Sequence, residues 1–249
     1  MKIIAFSDTH GYLPVVNEPF DLLLHCGDAC PAHDHYFAYQ DRWLRTEFVD
    51  WIKGLPFKDE NSKVVMIPGN HDFAPERYSK KERKDFTEIT EGRLVMLKNE
   101  GYEFKRGEES VKIFGTPYCK IFGSWAFMVP NDRLERKYSE IPEGLDILIS
   151  HDAPTLGDLG LIQEGYNQGT QAGNTILDSA ILQKKPTIFF CGHIHSGNHN
   201  FSKVGDTYMA NVSFVNERYY PVNNSLVFEY KDKTILDCSY PMFETPDSL

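Results

Sequence analysis

Five short apolar runs, residues 2–6, 21–25, 63–67, 145–149 and 187–190 continuing into Cys191, are nearly continuous rather than alternating. Strands read this way when both faces of a parallel sheet are covered. Between some of the runs the period changes. In residues 36–53, Phe37, Leu44, Phe48, Trp51 and Ile52 recur at three- and four-residue intervals, leaving Asp41, Arg45 and Asp50 largely on another face, which predicts an amphipathic helix. Further helices are expected over 75–90 and 174–184. Strand and helix therefore alternate, which defines the α/β class.

Two segments break the alternation. Residues 93–115 contain apolar stretches at 94–97, 102–104 and 111–114, separated by Gly101 and Gly107, and predict antiparallel strands joined by tight turns. The tail repeats this at 207–215, 225–230 and 234–238, with Asn223-Asn224 and 231–233 as turns. With no repeat, low-complexity tract or Pro/Ser linker, a single domain over 1–249 with a mixed second layer is expected. Residues 154–173, punctuated by Gly157, Gly160, Gly165, Gly169 and Gly173, form a long loop of the kind that often serves as a lid; an irregular surface connection is the alternative.

The 249 residues, 41% of them hydrophobic, are enough for a real core and exclude disorder or a fibrous architecture. Against 26 Lys and Arg stand 36 Asp and Glu, a formal charge of −10. That balance argues against general nucleic-acid binding or attraction to an anionic membrane, although a bound metal can reverse the sign locally. Asp8 interrupts the first apolar run too early for a signal peptide or anchor, and no later run approaches the roughly 18 residues of a membrane span, so a cytoplasmic protein is expected. Five cysteines with no C-x-x-C pair read as reduced thiols. Cys26 and Cys30, which flank Asp28, read as small buried side chains in preference to a metal or redox pair.

The residues that follow each run carry the chemistry. They are Ser7-Asp8-Thr9-His10-Gly11, then Gly27-Asp28, then Gly69-Asn70-His71-Asp72, then His151, then Gly192-His193-Ile194-His195. The carboxyl ends of parallel strands share one edge of a sheet, where ligands bind, so these distant positions become neighbours. Taken singly, each has an ordinary structural reading as a hydrogen-bonded buried histidine, a cap or a turn residue. Together they place five of the nine histidines directly after the five strands. Asp-x-His and His-x-His spacings put both side chains on one side of an extended chain. Carboxylate, imidazole and amide oxygen form a donor set for Mn, Fe or Zn, whereas an all-oxygen shell would point to Mg or Ca.

These blocks, in this order over residues 8–195, resemble the calcineurin-like metallophosphoesterases. The stretch Leu156-Gly157-Asp158 through Gly173, with residues 191–197, looks like the subgroup that includes the brain-expressed metallophosphoesterase-domain proteins. The resemblance implies a four-layer α/β/β/α sandwich with two mixed sheets. It implies two divalent transition-metal ions, one held by Asp8, His10, Asp28 and His195 and the other by Asp28, Asn70, His151 and His193, so that Asp28 bridges. His71 would sit beside the scissile phosphate, with Asp72 orienting and charging its imidazole. The implied reaction is hydrolysis of small-molecule phosphodiesters, cyclic nucleotides among them, by a metal-bridging hydroxide. A phosphomonoesterase or protein phosphatase is the alternative, and a non-catalytic scaffold on the same fold a further one. No oligomeric state is implied.

Several residues stand outside the family pattern. Asp152 occupies a place where relatives commonly have a small residue, and either lies near the second metal or points outward. Asn198 and His199 either line the substrate pocket or belong to an exposed loop. His25, His33 and His35 match no ligand position and are expected to be structural or surface residues. Tyr118, Phe122 and Trp125 offer a stacking surface for a nucleobase, with core packing or an oligomer contact as the favoured alternative.

Overall fold

The computed structural model describes residues 1–239. β1 (Lys2–Phe6), β2 (Leu22–His25), β3 (Lys63–Met66) and β4 (Leu94–Met96) pair in parallel. A hairpin of β5 (Glu100–Arg106) and β6 (Glu109–Thr116) then starts a second sheet, and β7 (Cys119–Lys120) and β8 (Met128–Val129) form a small parallel pair. β9 (Ile147–Ser150), β10 (Ile188–Cys191), β11 (Ser202–Val204) and β12 (Thr207–Asn211) complete the second sheet, whereas β13 (Leu226–Lys231) and β14 (Thr234–Ser239) return to the first. The strand orders are β14-β13-β1-β2-β3-β4 and β11-β12-β10-β9-β6-β5. Each sheet has four parallel strands flanked by antiparallel ones, so both are mixed, as the family resemblance implied.

Alternation along the strands explains why the apolar runs are unbroken. Ile3, Ala5, Leu22, Leu24 and Val65 face inward and pack on Ile113, Ile147, Ile149, Ile188 and Phe190 of the second sheet. Their neighbours Ile4, Phe6, Leu23, Val64 and Met66 face outward onto Trp43, Leu44, Phe48, Ile52 and Phe86. These come from α1 (Phe37–Trp43), a π-helical turn (Leu44–Phe48), α2 (Val49–Gly54) and, beyond α3 (Phe73–Arg77), α4 (Lys80–Ile89). On the far side, Phe114, Leu148 and Phe189 pack on Leu134 and Tyr138 of α5 (Asn131–Ser139) and on Leu177 and Ile181 of α6 (Thr175–Lys184). The result is four layers with both faces of each sheet buried.

Three expectations are revised. The stretch 94–97 is no partner of the following hairpin, because β4 pairs in parallel with β3. The helix expected over 75–90 is two helices, since Ser79 and Glu82 form a capping box that starts α4 afresh: Glu82 N donates to Ser79 Oγ at 3.2 Å and Ser79 N to Glu82 Oε2 at 2.7 Å. In the tail, 207–215 shortens to β12, which runs parallel to β10. Past the ends of β1 and β12 the two sheets touch: Ser7 N donates to Val212 O at 2.8 Å and Phe214 N to Ser7 O at 2.7 Å.

Candidate metal centre

The turns after the strands are tight. Asp8, His10, Asp28 and His193 adopt positive φ angles of 53°, 45°, 56° and 69°. Left-handed backbone at non-glycine residues costs of order 1 kcal/mol or more each and is tolerated where the surroundings fix it. The neighbouring glycines are needed for room. A Cβ on Gly192 would lie 2.1 Å from Asp8 Oδ2, one on Gly69 2.3 Å from Asp28 Oδ1, and one on Gly27 2.4 Å from His151 Nδ1.

Side chains from both sheets converge in the space so left. Asp8, His10 and His195 bring ligand atoms within 4.8 Å of one another, and so do Asp8, Asp28 and His151; all five are buried. Asp28 Oδ2 lies 3.7 Å from His10 Nε2 and 3.4 Å from His151 Nε2. His195 Nε2 is 3.2 Å from His10 Nε2 and 3.4 Å from Asp8 Oδ1. Asn70 Oδ1 is 2.8 Å from His151 Nε2, and the His193 ring lies 5.1 Å from that of His151.

The rims of these rings fix their chemistry. His151 Nδ1 sits 3.0 Å from Cys26 O and His195 Nδ1 3.0 Å from Asn216 O. A carbonyl accepts only from an N–H, so both rings carry a proton on Nδ1 and present Nε2 inward as the nitrogen that a metal would take in place of a proton. Asp8 is anchored by His193 N at 3.1 and 3.0 Å and by Ser213 Oγ at 2.9 Å, and Asp28 Oδ1 accepts His71 N at 2.7 Å. Burial alone would raise the Asp28 carboxyl, yet the positive charge of His151 above all holds it well below the usual range. Burial likewise opposes the charged form of His151, but the Asp28 charge outweighs it and lifts the ring to about 10. By contrast, burial lowers His10 and His193 to about 3, leaving both rings neutral. His10 Nδ1 is buried without a partner. Two buried carboxylates facing inward nitrogens form a site that calls for positive charge, so the donor set fits metal cations.

His71 lies beside this cluster, its ring 4.9 Å from that of His10 and 4.5 Å from that of Trp125. Asp72 departs from the expectation that it orients His71. Its Oδ2 accepts Gly69 N at 2.7 Å and Ala29 N at 3.3 Å, and its Oδ1 accepts Cys30 N at 2.9 Å, so the carboxylate braces two loops. The partner of the His71 ring is His35, with Nε2 3.1 Å from His71 Nδ1. From sequence alone His35 reads as a structural or surface residue, because no local pattern links residues 35 and 71.

A cavity of about 380 Å³ opens over the cluster, lined by Asp28, Asn70, His71, His193 and His195 together with Lys120, Phe122, Trp125 and Tyr219. Of the aromatics weighed from sequence, Phe122, 56% exposed, and half-buried Trp125 form its wall, whereas Tyr118 packs against the α5 layer. Tyr219, which sequence reasoning missed, stands with its ring 4.7 Å from His10 and 5.2 Å from His195. Ile162, Asn167 and Ala172 of the glycine-rich loop also line it. Asp152 is turned away, accepting from Asn174 Nδ2 at 2.7 Å and Lys120 N at 3.1 Å. His199 is held against the carbonyls of Asn211 and His195, both at 3.0 Å, and Asn198 Nδ2 donates to Gly157 O at 2.8 Å, so neither reaches this cavity. His33 pairs with Tyr39 at the surface.

The two sheets of this four-layer sandwich thus deliver buried Asp and His clusters that could hold metal ions, on the fold of the calcineurin-like phosphoesterases. The chain belongs to the calcineurin-like phosphoesterase family, whose model matches residues 1–197. It is 28% identical to human metallophosphoesterase domain-containing protein 1, over 92% of this chain and 70% of that protein. Its fold is similar to the crystal structure of TT1561 of Thermus thermophilus, with a TM-score of 0.58 at 11% identity over 96% of this chain and 98% of that one. It is also similar to that of phosphopantetheinyl hydrolase from Mycobacterium tuberculosis, with a TM-score of 0.51 at 14% identity over 88% and 90% of the two chains. Among the described residues no helix is long and apolar enough to cross a membrane.

Proposed function

We propose that this chain, as one metallophosphoesterase domain over 1–249, hydrolyses small-molecule phosphodiesters, nucleotides among them, with two divalent transition-metal ions such as Mn, Fe or Zn. Asp8, His10, Asp28 and His195 hold one ion, and Asp28, Asn70, His151 and His193 the other. The observation that carries this reading is the place of Asp28 Oδ2, between His10 Nε2 at 3.7 Å and His151 Nε2 at 3.4 Å. When bound, the ions polarise the phosphoryl oxygens and lower the pKa of water near neutrality. His71, on the cavity wall, neutralises charge on a phosphoryl oxygen and donates a proton to the leaving oxygen. Asp72 supports it indirectly by bracing the loop that carries it.

The cavity wall favours a diester over a monoester. Apart from the histidines and Asp28, its charged lining consists of Lys120 and Glu217, which cancel, and Lys120 Nζ is engaged by Gly173 O at 2.7 Å. A monoester dianion would gain no second cation there, whereas the faces of Phe122, Trp125 and Tyr219 suit a second organic substituent. Buried, unbridged Cys26, Cys30, Cys119 and Cys191 support a reducing, cytoplasmic setting.

The test is reconstitution with Mn followed by assay on bis(p-nitrophenyl) phosphate and p-nitrophenyl phosphate. Faster diester cleavage is expected, with Asp28→Asn losing bound metal and roughly 100-fold or more in rate. Faster monoester cleavage would make the enzyme a phosphomonoesterase, and a protein that neither retains metal nor cleaves either ester would overturn the reading.

A further inference from the structure

We propose that His35 is the positioning residue for His71, replacing the neighbouring carboxylate Asp72 in that role. The proposal rests on the phosphoesterase reading above for its kinetic consequence, though not for its geometry. Both oxygens of Asp72 are committed to the backbone N–H groups of Gly69, Ala29 and Cys30, which leaves His35 Nε2, at 3.1 Å, on the Nδ1 edge of the His71 ring.

His35 is held in place by construction around it. Fully buried Gln40 donates through Nε2 to His71 O at 2.8 Å and to Asp34 O at 3.3 Å, and its Oε1 accepts Ala74 N at 3.0 Å. One side chain thus fastens the loop before His35 to the backbone of His71. Asp34 Oδ1 accepts Tyr36 N at 2.8 Å and sets the turn on which His35 stands. Its ring lies 5.1 Å from that of Phe73 and 5.3 Å from that of Trp125, while Trp125 also covers His71 at 4.5 Å. His71 and Trp125 form part of the cavity wall and His35 stands behind them, so it acts through His71 and not on substrate.

An imidazole does here what a carboxylate cannot. A carboxylate only accepts, so it fixes a ring with a proton on Nδ1 and stabilises its cation. A neutral imidazole holds one donor and one acceptor. With its proton on Nε2, His35 donates to His71 Nδ1, and His71 then carries its own proton on Nε2, the nitrogen farther from His35. Burial lowers the His35 pKa from its ordinary value, which favours this neutral form. His71 is thereby oriented with its Nε2 proton toward a phosphoryl or leaving oxygen.

The experiment compares His35→Phe, which keeps a ring beside Phe73 and Trp125 without the hydrogen bond, with His35→Gln, which can still donate. In the metal-loaded enzyme His35→Phe should lose about 10-fold or more in kcat with KM and metal content unchanged, and His35→Gln should stay within about 3-fold. In a His71→Ala background His35→Phe should cost nothing further. Nitrogen-15 NMR of the zinc-loaded protein should show His71 in a single tautomer with the proton on Nε2, and a mixture in His35→Phe. Unchanged kcat in His35→Phe, an equal loss in the His71→Ala background, or a wild-type His71 that exchanges between tautomers would each overturn the proposal. If His35→Phe does not fold, the wild-type spectrum decides. A wild type with no esterase activity but a single Nε2–H tautomer would sink the enzymatic reading and leave the pairing standing.

Discussion

His25 closes β2, and its Nδ1 accepts Gly27 N at 3.2 Å while Nε2 pairs with Thr9 Oγ1 at 3.1 Å. Because Nδ1 is an acceptor, protonating the ring would break the Gly27 bond. Burial agrees, lowering His25 to about 4. The unfolded chain binds this proton near pH 6.5 and the folded one does not, so stability is present above pH 6.5 and falls as pH drops toward 4, by up to about 1.4 kcal/mol per unit. His25→Gln, which does not titrate, should make that limb less steep in urea unfolding between about pH 4.5 and 7, with buried His10 and His193 keeping their share of the slope; an unchanged slope would contradict the account. In sequence His25 and His151 are alike, each closing or following an apolar run. They differ only in partners supplied by distant chain: for His25 the backbone N–H of Gly27 and a hydroxyl, for His151 a carbonyl on one side and Asp28 on the other. The same limit hid His35, and the role that the family resemblance implied for Asp72 is not seen because adjacency in a turn does not bring two side chains together.

At the scale of elements, the strands buried on both faces were the most legible, because a short unbroken apolar run between turn residues seldom arises except in a strand covered on both sides. All five central runs are strands to within two residues at either end. What failed was partner choice: 94–97 looked like the first arm of a meander, since nothing local distinguishes a strand that pairs forward from one that pairs back. α5 escaped because Leu134 and Tyr138 are its only buried positions, too few for a period to stand out. The break between α3 and α4 was written in Ser79-x-x-Glu82. Ser79→Ala should remove the cap and cost about 1 kcal/mol in urea unfolding while leaving metal content unchanged. A loss below about 0.5 kcal/mol, no more than an ordinary surface substitution costs, would show the box to be idle.

For the whole molecule, the family match ends at residue 197, yet neither sheet is complete there. β13 covers the edge of β1, β12 covers that of β10, and Ser213 holds Asp8 in place. A chain ending at residue 197 would expose the inner strands of both sheets and is expected not to fold, as circular dichroism and size-exclusion chromatography would show; a folded, metal-binding fragment would refute this. Among the described residues the two sheets share little backbone hydrogen bonding beyond the short bridge of Ser7 and Ser213. Asp8, His10, Asp28 and Asn70 come from one sheet and His151, His193 and His195 from the other. Any cations bound among them therefore act as a clasp across the joint. Chelation should leave each half intact but let the two part at that end, so that amide exchange quickens first around Ser7 and Val212 and only later within the strands.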